Sequence, residues 1–289
     1  MRRKVFTILF ALLFLAGFGI LAYPTISNQW NNYRQSRLIS NYKNITENTD
    51  TEDFDREWER AKEYNDSITV NQPMSADVFS EGGQEDKSSE YWNVLNIAGD
   101  GMMGYLSIPK INVELAIYHG TSDEVLQTGI GHIEGTKLPI GGESNHTVLA
   151  AHRGLPSARL FTDLDQLEEG DEFYIHILDE TLAYQVDQIL PMVDKDDTEA
   201  LSEALAIEDG QDYVTLFTCT PYGVNTHRLL VRGTRVEYHE EETAETPVDT
   251  AKNLLQDYYM FFLIGGVAVT VVAIGMIRII MKKKRKSTV

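Results

Sequence analysis

Cysteine is almost missing: the 289 residues contain one, Cys219. A single thiol excludes an internal disulfide framework, a cysteine-rich zinc site and a four-cysteine iron–sulfur site. Positive charge is scarce as well, with 25 Lys and Arg against 44 Asp and Glu and a net charge of −19. Nine of those basic residues stand at the two ends (Arg2, Arg3, Lys4, then Arg278, Lys282, Lys283, Lys284, Arg285, Lys286), so the stretch between them is strongly acidic. A nucleic-acid binder neutralises phosphates with clustered Lys and Arg, and here the sign is wrong. Nucleic acid is therefore not an expected partner. No cluster of metal-ligating residues occurs, and neither metal nor cofactor is expected. Apolar residues, at 43%, are plentiful enough to build a core and to exclude wholesale disorder. The length suits one sizeable domain or two small ones, with extras.

Two uncharged runs stand beside the basic ends. Val5–Tyr23 is mostly Phe, Leu, Ile and Ala, and Tyr258–Ile277 is the second. About 20 apolar residues cross a bilayer as a helix. No small-x-small cleavage site follows the first run, so it reads as an uncleaved signal anchor. Basic flanks stay cytoplasmic, which puts both termini inside and the acidic middle outside, at the cell membrane.

From Ile26 to Ile68 apolar residues return at helical spacing: Ile26, Trp30, Tyr33, Leu38, Tyr42 and Ile45, then Phe54, Trp58, Ala61, Tyr64 and Ile68. Thr49 and Glu52 form a candidate capping box for the second helix. Residues 71–90 read as a loop around Pro73, Gly82 and Gly83. From Met103 short β-type runs follow: Gly104–Ile108, Thr147–Ala151, Glu172–Ile177, Ala183–Ile189, Tyr213–Thr218 and Leu229–Val236. Turn residues separate them, as in an antiparallel barrel or sandwich, with a short helix at Thr198–Ala206.

Cys219 closes the run Thr215-Leu216-Phe217-Thr218-Cys219, and Pro221 cannot continue the ladder. The cysteine is thus expected near an accessible strand end. Taken alone, a single cysteine is more often an inert buried hydrophobe. A thiol becomes a nucleophile only as thiolate, with a base or a cation beside it. His152 ends the run Val148-Leu149-Ala150-Ala151, and Arg228 opens Arg228-Leu229-Leu230-Val231-Arg232. Separately these are a turn histidine and a strand-edge arginine. Two strands joined by a short loop would bring Cys219 and Arg228 together, the arrangement that acyl transfer requires.

These blocks carry a family resemblance. Thr215-Leu216-Phe217-Thr218-Cys219-Thr220-Pro221 followed by Asn225-Thr226-His227-Arg228-Leu229-Leu230-Val231-Arg232-Gly233 resembles the active-site strand pair of sortases, above all the class C, pilin-polymerising group. Gly104–Ile111, Tyr118–Thr121, Gly131–Thr136 and His152–Leu164 agree with the same family, and the two anchors agree with class C. The resemblance implies a mainly β fold: an eight-stranded sortase-type barrel with N-terminal helices and a lid loop, flanked by two transmembrane helices. The corresponding organisation is a basic tip (1–4), an anchor (5–23), a helical prefix (24–70), a lid and connection (71–100), the catalytic barrel (101–239), an acidic linker (240–257), a membrane helix (258–280) and a basic tail (281–289).

The resemblance further implies a cysteine transpeptidase with pilin precursors as partners. Cys219 would attack the Thr–Gly carbonyl of an LPXTG-like sorting signal and form a thioacyl enzyme. His152, as imidazolium, would protonate the departing amine, and Arg228 would bind the substrate backbone and oxyanion. A pilin lysine would accept the acyl group, with membrane lipid holding the partners close. Many class C members carry an Asp-Pro-aromatic lid motif; here Asp77-Val78-Phe79 keeps the acid and the ring without the proline. Asp77 is then expected on Arg228 and Phe79 on Cys219, with Tyr91 and Trp92 as a rival cover. His119, His132 and His227 are read as structural. Attachment of proteins to cell-wall peptide, and a catalytically silent adhesion module, are the alternative functions.

Overall fold

The computed structural model describes residues 2–70, 77–79, 87–239 and 265. The chain divides into two compact units, residues 26–240 and residues 1–25 with 241–289. All eight strands belong to the first. They are β1 (Met102–Ile108), β2 (Val113–His119), β3 (Ile130–His132), β4 (Asn145–Ala150), β5 (Glu172–Ile177), β6 (Glu180–Asp194), β7 (Asp212–Thr220) and β8 (His227–Val236). They close into a barrel in the order β1-β2-β3-β4-β7-β8-β6-β5. Closure leaves no unpaired edge.

The ladder corrects the antiparallel expectation. β2 pairs with β3, and β4 with β7, in parallel. Parallel neighbours need a long crossover, and chain is spent on both. Helix α3, the third in the chain (Asp123–Thr128), lies between β2 and β3, while β5, β6 and a fourth helix α4 (Thr198–Ala204) lie between β4 and β7. β2 and β3 have no counterpart among the β-type runs of the sequence; β3 is only three residues long and has no period to detect.

Two helices precede the barrel, α1 (Arg2–Glu47) and α2 (Thr51–Ser67). α2 buries Phe54 and Ala61 of its expected apolar face, and α1 buries Tyr42 of its own, but the first part of the α1 pattern does not hold. Ile26, Trp30 and Tyr33 are exposed, whereas Asn31, Gln35, Ile39 and Tyr42 are buried. For Gln35 and Tyr42 the reason is hydrogen bonding, while Ile39 packs on Met102, Tyr105 and Ala116. Gln35 Oε1 accepts from Ala116 N–H of β2 (3.0 Å), and its Nε2 donates to Thr128 C=O (2.5 Å). The Tyr42 hydroxyl donates to Met103 C=O (2.8 Å) and accepts from Leu178 N–H (2.9 Å). The capping box is also corrected. The Thr49 hydroxyl donates back to Ile45 C=O (2.7 Å), finishing α1, and Asp50 stands at the N-terminus of α2 without a side-chain cap.

The main core fills the barrel with Leu106, Ile117, Leu149, Phe173, Tyr184, Leu216 and Val231, and Phe54 and Ala61 of α2 join it. A smaller patch outside the barrel wall gathers Val148, Ala150, Phe217 and Leu230 under Leu126 of α3, Leu201 of α4 and Leu205 just past the end of α4. Among the described residues no helix is long and apolar enough to cross a membrane. The run at Val5–Tyr23 lies on α1, and the one at Tyr258–Ile277, Gly265 apart, falls outside the described residues.

Asn65 is the polar tie between α2 and the barrel. Its Nδ2 donates to Leu138 C=O (3.2 Å) and to Asn145 Oδ1 (3.1 Å), and its Oδ1 accepts from Leu138 N–H (2.7 Å). Asn65→Ala leaves that buried amide without an acceptor. The expected loss is about 1–3 kcal/mol of unfolding free energy, measured as a lower urea midpoint at constant m-value. An unchanged midpoint would show that α2 is not held through Asn65.

Candidate active site

Side chains alternate across a strand. On β7, Leu216 therefore faces the barrel core while Phe217 and Cys219 face the outer patch. On β8, Leu229 and Val231 point inward, which places Arg228 and Leu230 outward. The antiparallel register makes Cys219 and Arg228 direct cross-strand partners. Side chains so paired stand about 5 Å apart at Cβ.

His152 reaches the same place by the parallel register of β4 and β7, in which Ala150 pairs with Phe217. Ala151 N–H donates to Phe217 C=O (3.2 Å), and Thr218 Oγ1 donates to Ala151 C=O (2.7 Å). Two residues beyond the Ala150–Phe217 pair, His152 stands level with Cys219. The three residues singled out from sequence thus converge on one outer face, from three strand ends.

The face is covered. Cys219 is 3% exposed, which corrects the expectation of an accessible strand end. β7 runs on through Thr220, and the 77–79 turn lies against the patch, with Val78 and Phe79 packed on it. The Phe79 ring stacks on Phe217 (5.8 Å between centroids, 3° between planes) and tilts against His152 (5.2 Å). The Arg228 guanidinium lies 5.3 Å from the same ring. Phe79 thus lies against the imidazole and the guanidinium as well as the β7 wall. Tyr91 and Trp92 belong elsewhere: the Tyr91 hydroxyl meets His132 Nδ1 (2.9 Å), and its ring packs on His119 and Trp92.

Arg228 is buried, and its fork is filled. Its Nε donates to Asp77 Oδ1 (2.8 Å), its Nη2 donates to Asp77 Oδ2, and its Nη1 donates to the carbonyls of His227 (2.6 Å) and Asn225 (3.0 Å). Charge-assisted, two-pronged bonding of this kind is the strongest side-chain pairing available. Burial pushes the Cys219 thiol up to about 11; Arg228 opposes the rise and Asp77 adds to it. Burial likewise lowers the His152 imidazole, with Asp123 of α3 pulling the other way. At neutral pH the closed site therefore holds a neutral thiol beside a neutral imidazole. Both are in the wrong protonation state for a thiolate–imidazolium pair.

Sequence reasoning passed over Asp123 and Arg153. Asp123 sits in the first turn of a six-residue helix, and Arg153 reads as an ordinary turn cation; neither carries a periodic signal. Among the described residues no group of three or more acidic, His or Cys side chains could hold a metal ion.

The sortase domain model matches residues 106–236, which contain Cys219, His152 and Arg228. Sortase C1 of Streptococcus agalactiae is 50% identical, over 70% of this chain and 100% of that one, with a TM-score of 0.61. The chain belongs to the sortase family. Sortase C-1 of Streptococcus pneumoniae is 45% identical over 70% of this chain and 100% of its own, at a TM-score of 0.64. A pilus-related sortase C of Group B Streptococcus is 43% identical over 68% and 96% of the two chains, at 0.61. The barrel described above is thus a sortase barrel, and its cysteine transpeptidase family accounts for a lone thiol at a strand end.

The closed site predicts slow thiol chemistry. With the thiol at about 11, alkylation of Cys219 by iodoacetamide should rise about tenfold per pH unit from pH 7 towards that value. Asp77→Ala combined with Phe79→Ala removes the covering acid and ring, so the pH midpoint should fall and the rate at pH 7.5 should increase at least tenfold, read by intact mass. Equal rates in the wild type and the double variant would show that the 77–79 turn does not guard the thiol.

Proposed function

We propose that this sortase is a membrane-held, class C transpeptidase that cleaves an LPXTG-like sorting signal between Thr and Gly and joins pilin subunits through lysine isopeptide bonds. The observation that carries the reading is the cross-strand pairing of Cys219 with Arg228 at the level of His152, under a turn whose acid occupies the arginine. Likeness to a pilus-related sortase C supports the choice of pilin over other substrates.

The chemistry follows from the site once the 77–79 turn has moved. Losing Asp77 removes an anion from beside the thiol and frees two N–H donors of Arg228. Water readmitted to the site lifts the desolvation that holds Cys219 protonated and His152 neutral. Cys219, as thiolate, attacks the Thr–Gly carbonyl. The freed Arg228 donors receive the oxyanion, a role in which directed N–H groups are worth several kcal/mol. His152, as imidazolium, protonates the departing glycine amine and leaves a thioacyl enzyme. A lysine amine of the next pilin then attacks the thioester, gives its proton to His152 and releases Cys219. No metal or cofactor enters either step.

Attachment to the membrane is supported by the sequence: the uncharged runs Val5–Tyr23 and Tyr258–Ile277 with basic residues outside each. Both termini are then cytoplasmic and the barrel lies outside. Holding enzyme and precursor on one surface raises their effective concentration.

Incubation with a pilin bearing the sorting signal, followed by mass spectrometry, tests the reading. A thioacyl adduct on Cys219 and a lysine-linked ladder are expected. Transfer to wall-peptide amines with no ladder would replace pilus assembly by wall attachment. Cys219→Ala should abolish both products with the fold intact, since the change is nearly isosteric. Arg228→Lys keeps the charge and loses the fork; kcat/KM should fall on the order of 10²-fold. Near-normal turnover by Arg228→Lys would remove the oxyanion role.

A further inference from the structure

The His152 imidazole has no hydrogen-bond partner among the described residues; its ring contact is Phe79. Catalytic bases are usually oriented by a third group bonded to the far ring nitrogen. Among the described residues nothing bonds to either ring nitrogen, Asp123 of α3 acting on the imidazole through its charge alone, and on the transpeptidase reading Phe79 departs before reaction. The orientation of the imidazole must then come from the backbone that carries it. His152 C=O accepts from Phe161 N–H (3.2 Å), and the next residue is Arg153.

Arg153 has a side chain only 9% exposed, although it stands in a surface turn. Its three nitrogens reach in three directions. Nε donates to Thr162 C=O (3.1 Å), Nη1 to the Thr220 hydroxyl (3.4 Å) and Nη2 to the Asp165 carboxylate. Thr220 is the residue after Cys219. A single planar group therefore joins the turn after β4, the 162–165 turn and the end of β7. Gly154 N–H adds a bond to Thr162 Oγ1 (3.2 Å). Gly154 has φ +82°, and a Cβ there would meet the Tyr222 ring at 3.1 Å, so the turn also packs closely on the β7–β8 connection.

We infer that Arg153 is a positioning residue, whose guanidinium ties the His152 turn to Thr220 and so sets the distance between imidazole and thiol once the 77–79 turn has left. The inference rests on the transpeptidase reading for its meaning, but its geometry does not. Asp165 offsets the charge of Arg153, so the fork matters more than the cation. A lysine, with one point of attachment, cannot hold three partners at once.

The test uses the full chain carrying Asp77→Ala and Phe79→Ala, into which Arg153→Lys, Arg153→Ala or Thr220→Val is placed. Steady-state cleavage of a sorting-signal peptide, the pH midpoint of Cys219 alkylation and the melting temperature are measured for each. Both Arg153 variants should lose kcat by about 10- to 100-fold with KM within about twofold, as expected for misplacement on the order of 1 Å. Both should also move the alkylation midpoint upward, because the imidazole no longer sits beside the thiol. A general loss of stability would not move that midpoint in folded protein. Thr220→Val, which removes only the acceptor, should shift kcat and the midpoint in the same directions by less.

Restored kcat in Arg153→Lys would make the effect one of charge and overturn the inference. So would an unmoved midpoint in both Arg153 variants. If those variants melt below the assay temperature, Thr220→Val decides, and unchanged kcat and midpoint in it overturn the inference. Failure of the broader reading looks different: a parent protein that forms no thioacyl adduct refutes the transpeptidase, while the alkylation profiles, which need no substrate, still report on Arg153.

Discussion

A guanidinium that is 2% exposed constrains everything around it. Taking such a charge out of water costs several kcal/mol unless it is paired and its donors are filled. Arg228 meets that condition with two backbone carbonyls of its own turn and with Asp77, which lies 151 residues away in the chain. The turn that covers the site is therefore also the one that neutralises the arginine. Under the same cover Cys219 is buried and His152 half-buried, in an environment that favours their uncharged forms.

Buried ion pairs contribute little net stability, because desolvation offsets most of the attraction. The Asp77–Arg228 pair is thus well suited to exchange. On the proposed reading, a ligand that brings its own oxygen to the fork loses little by displacing the carboxylate, and Val78 and Phe79 rest on a modest apolar patch. Val78 fixes no backbone dihedral as a proline would, and its side chain packs on the patch. On the proposed reading, substrate arrival and thiol activation are coupled through a single guanidinium.

The barrel supplies what the turn covers. Parallel pairing of β4 with β7 and antiparallel pairing of β7 with β8 put three strand ends at one level of the wall, each with a reactive side chain on the outer face. The N-terminal helices reach the barrel through apolar side chains (Ile39 of α1, Phe54 and Ala61 of α2) and through polar ones. Gln35, Tyr42 and Asn65 fill backbone groups that the sheet leaves open, which explains why the buried face of α1 is not its most apolar one.

Local information was enough for much of this protein. A strand is written in the alternation of Thr215-Leu216-Phe217-Thr218-Cys219, a helix in the spacing of Phe54, Trp58 and Ala61, and a reactive context in Cys219, His152 and Arg228 with the residues flanking them. Periodicity and turn chemistry depend on a few neighbours, so the sequence alone determines them. Parallel register, the burial of Cys219, the filled fork of Arg228 and the three-way reach of Arg153 depend on residues tens to more than a hundred positions apart. No window of sequence contains both partners of Asp77–Arg228 or Arg153–Thr220. Only chain closure brings them within bonding distance, and with it comes the change of solvent that sets the protonation of the thiol.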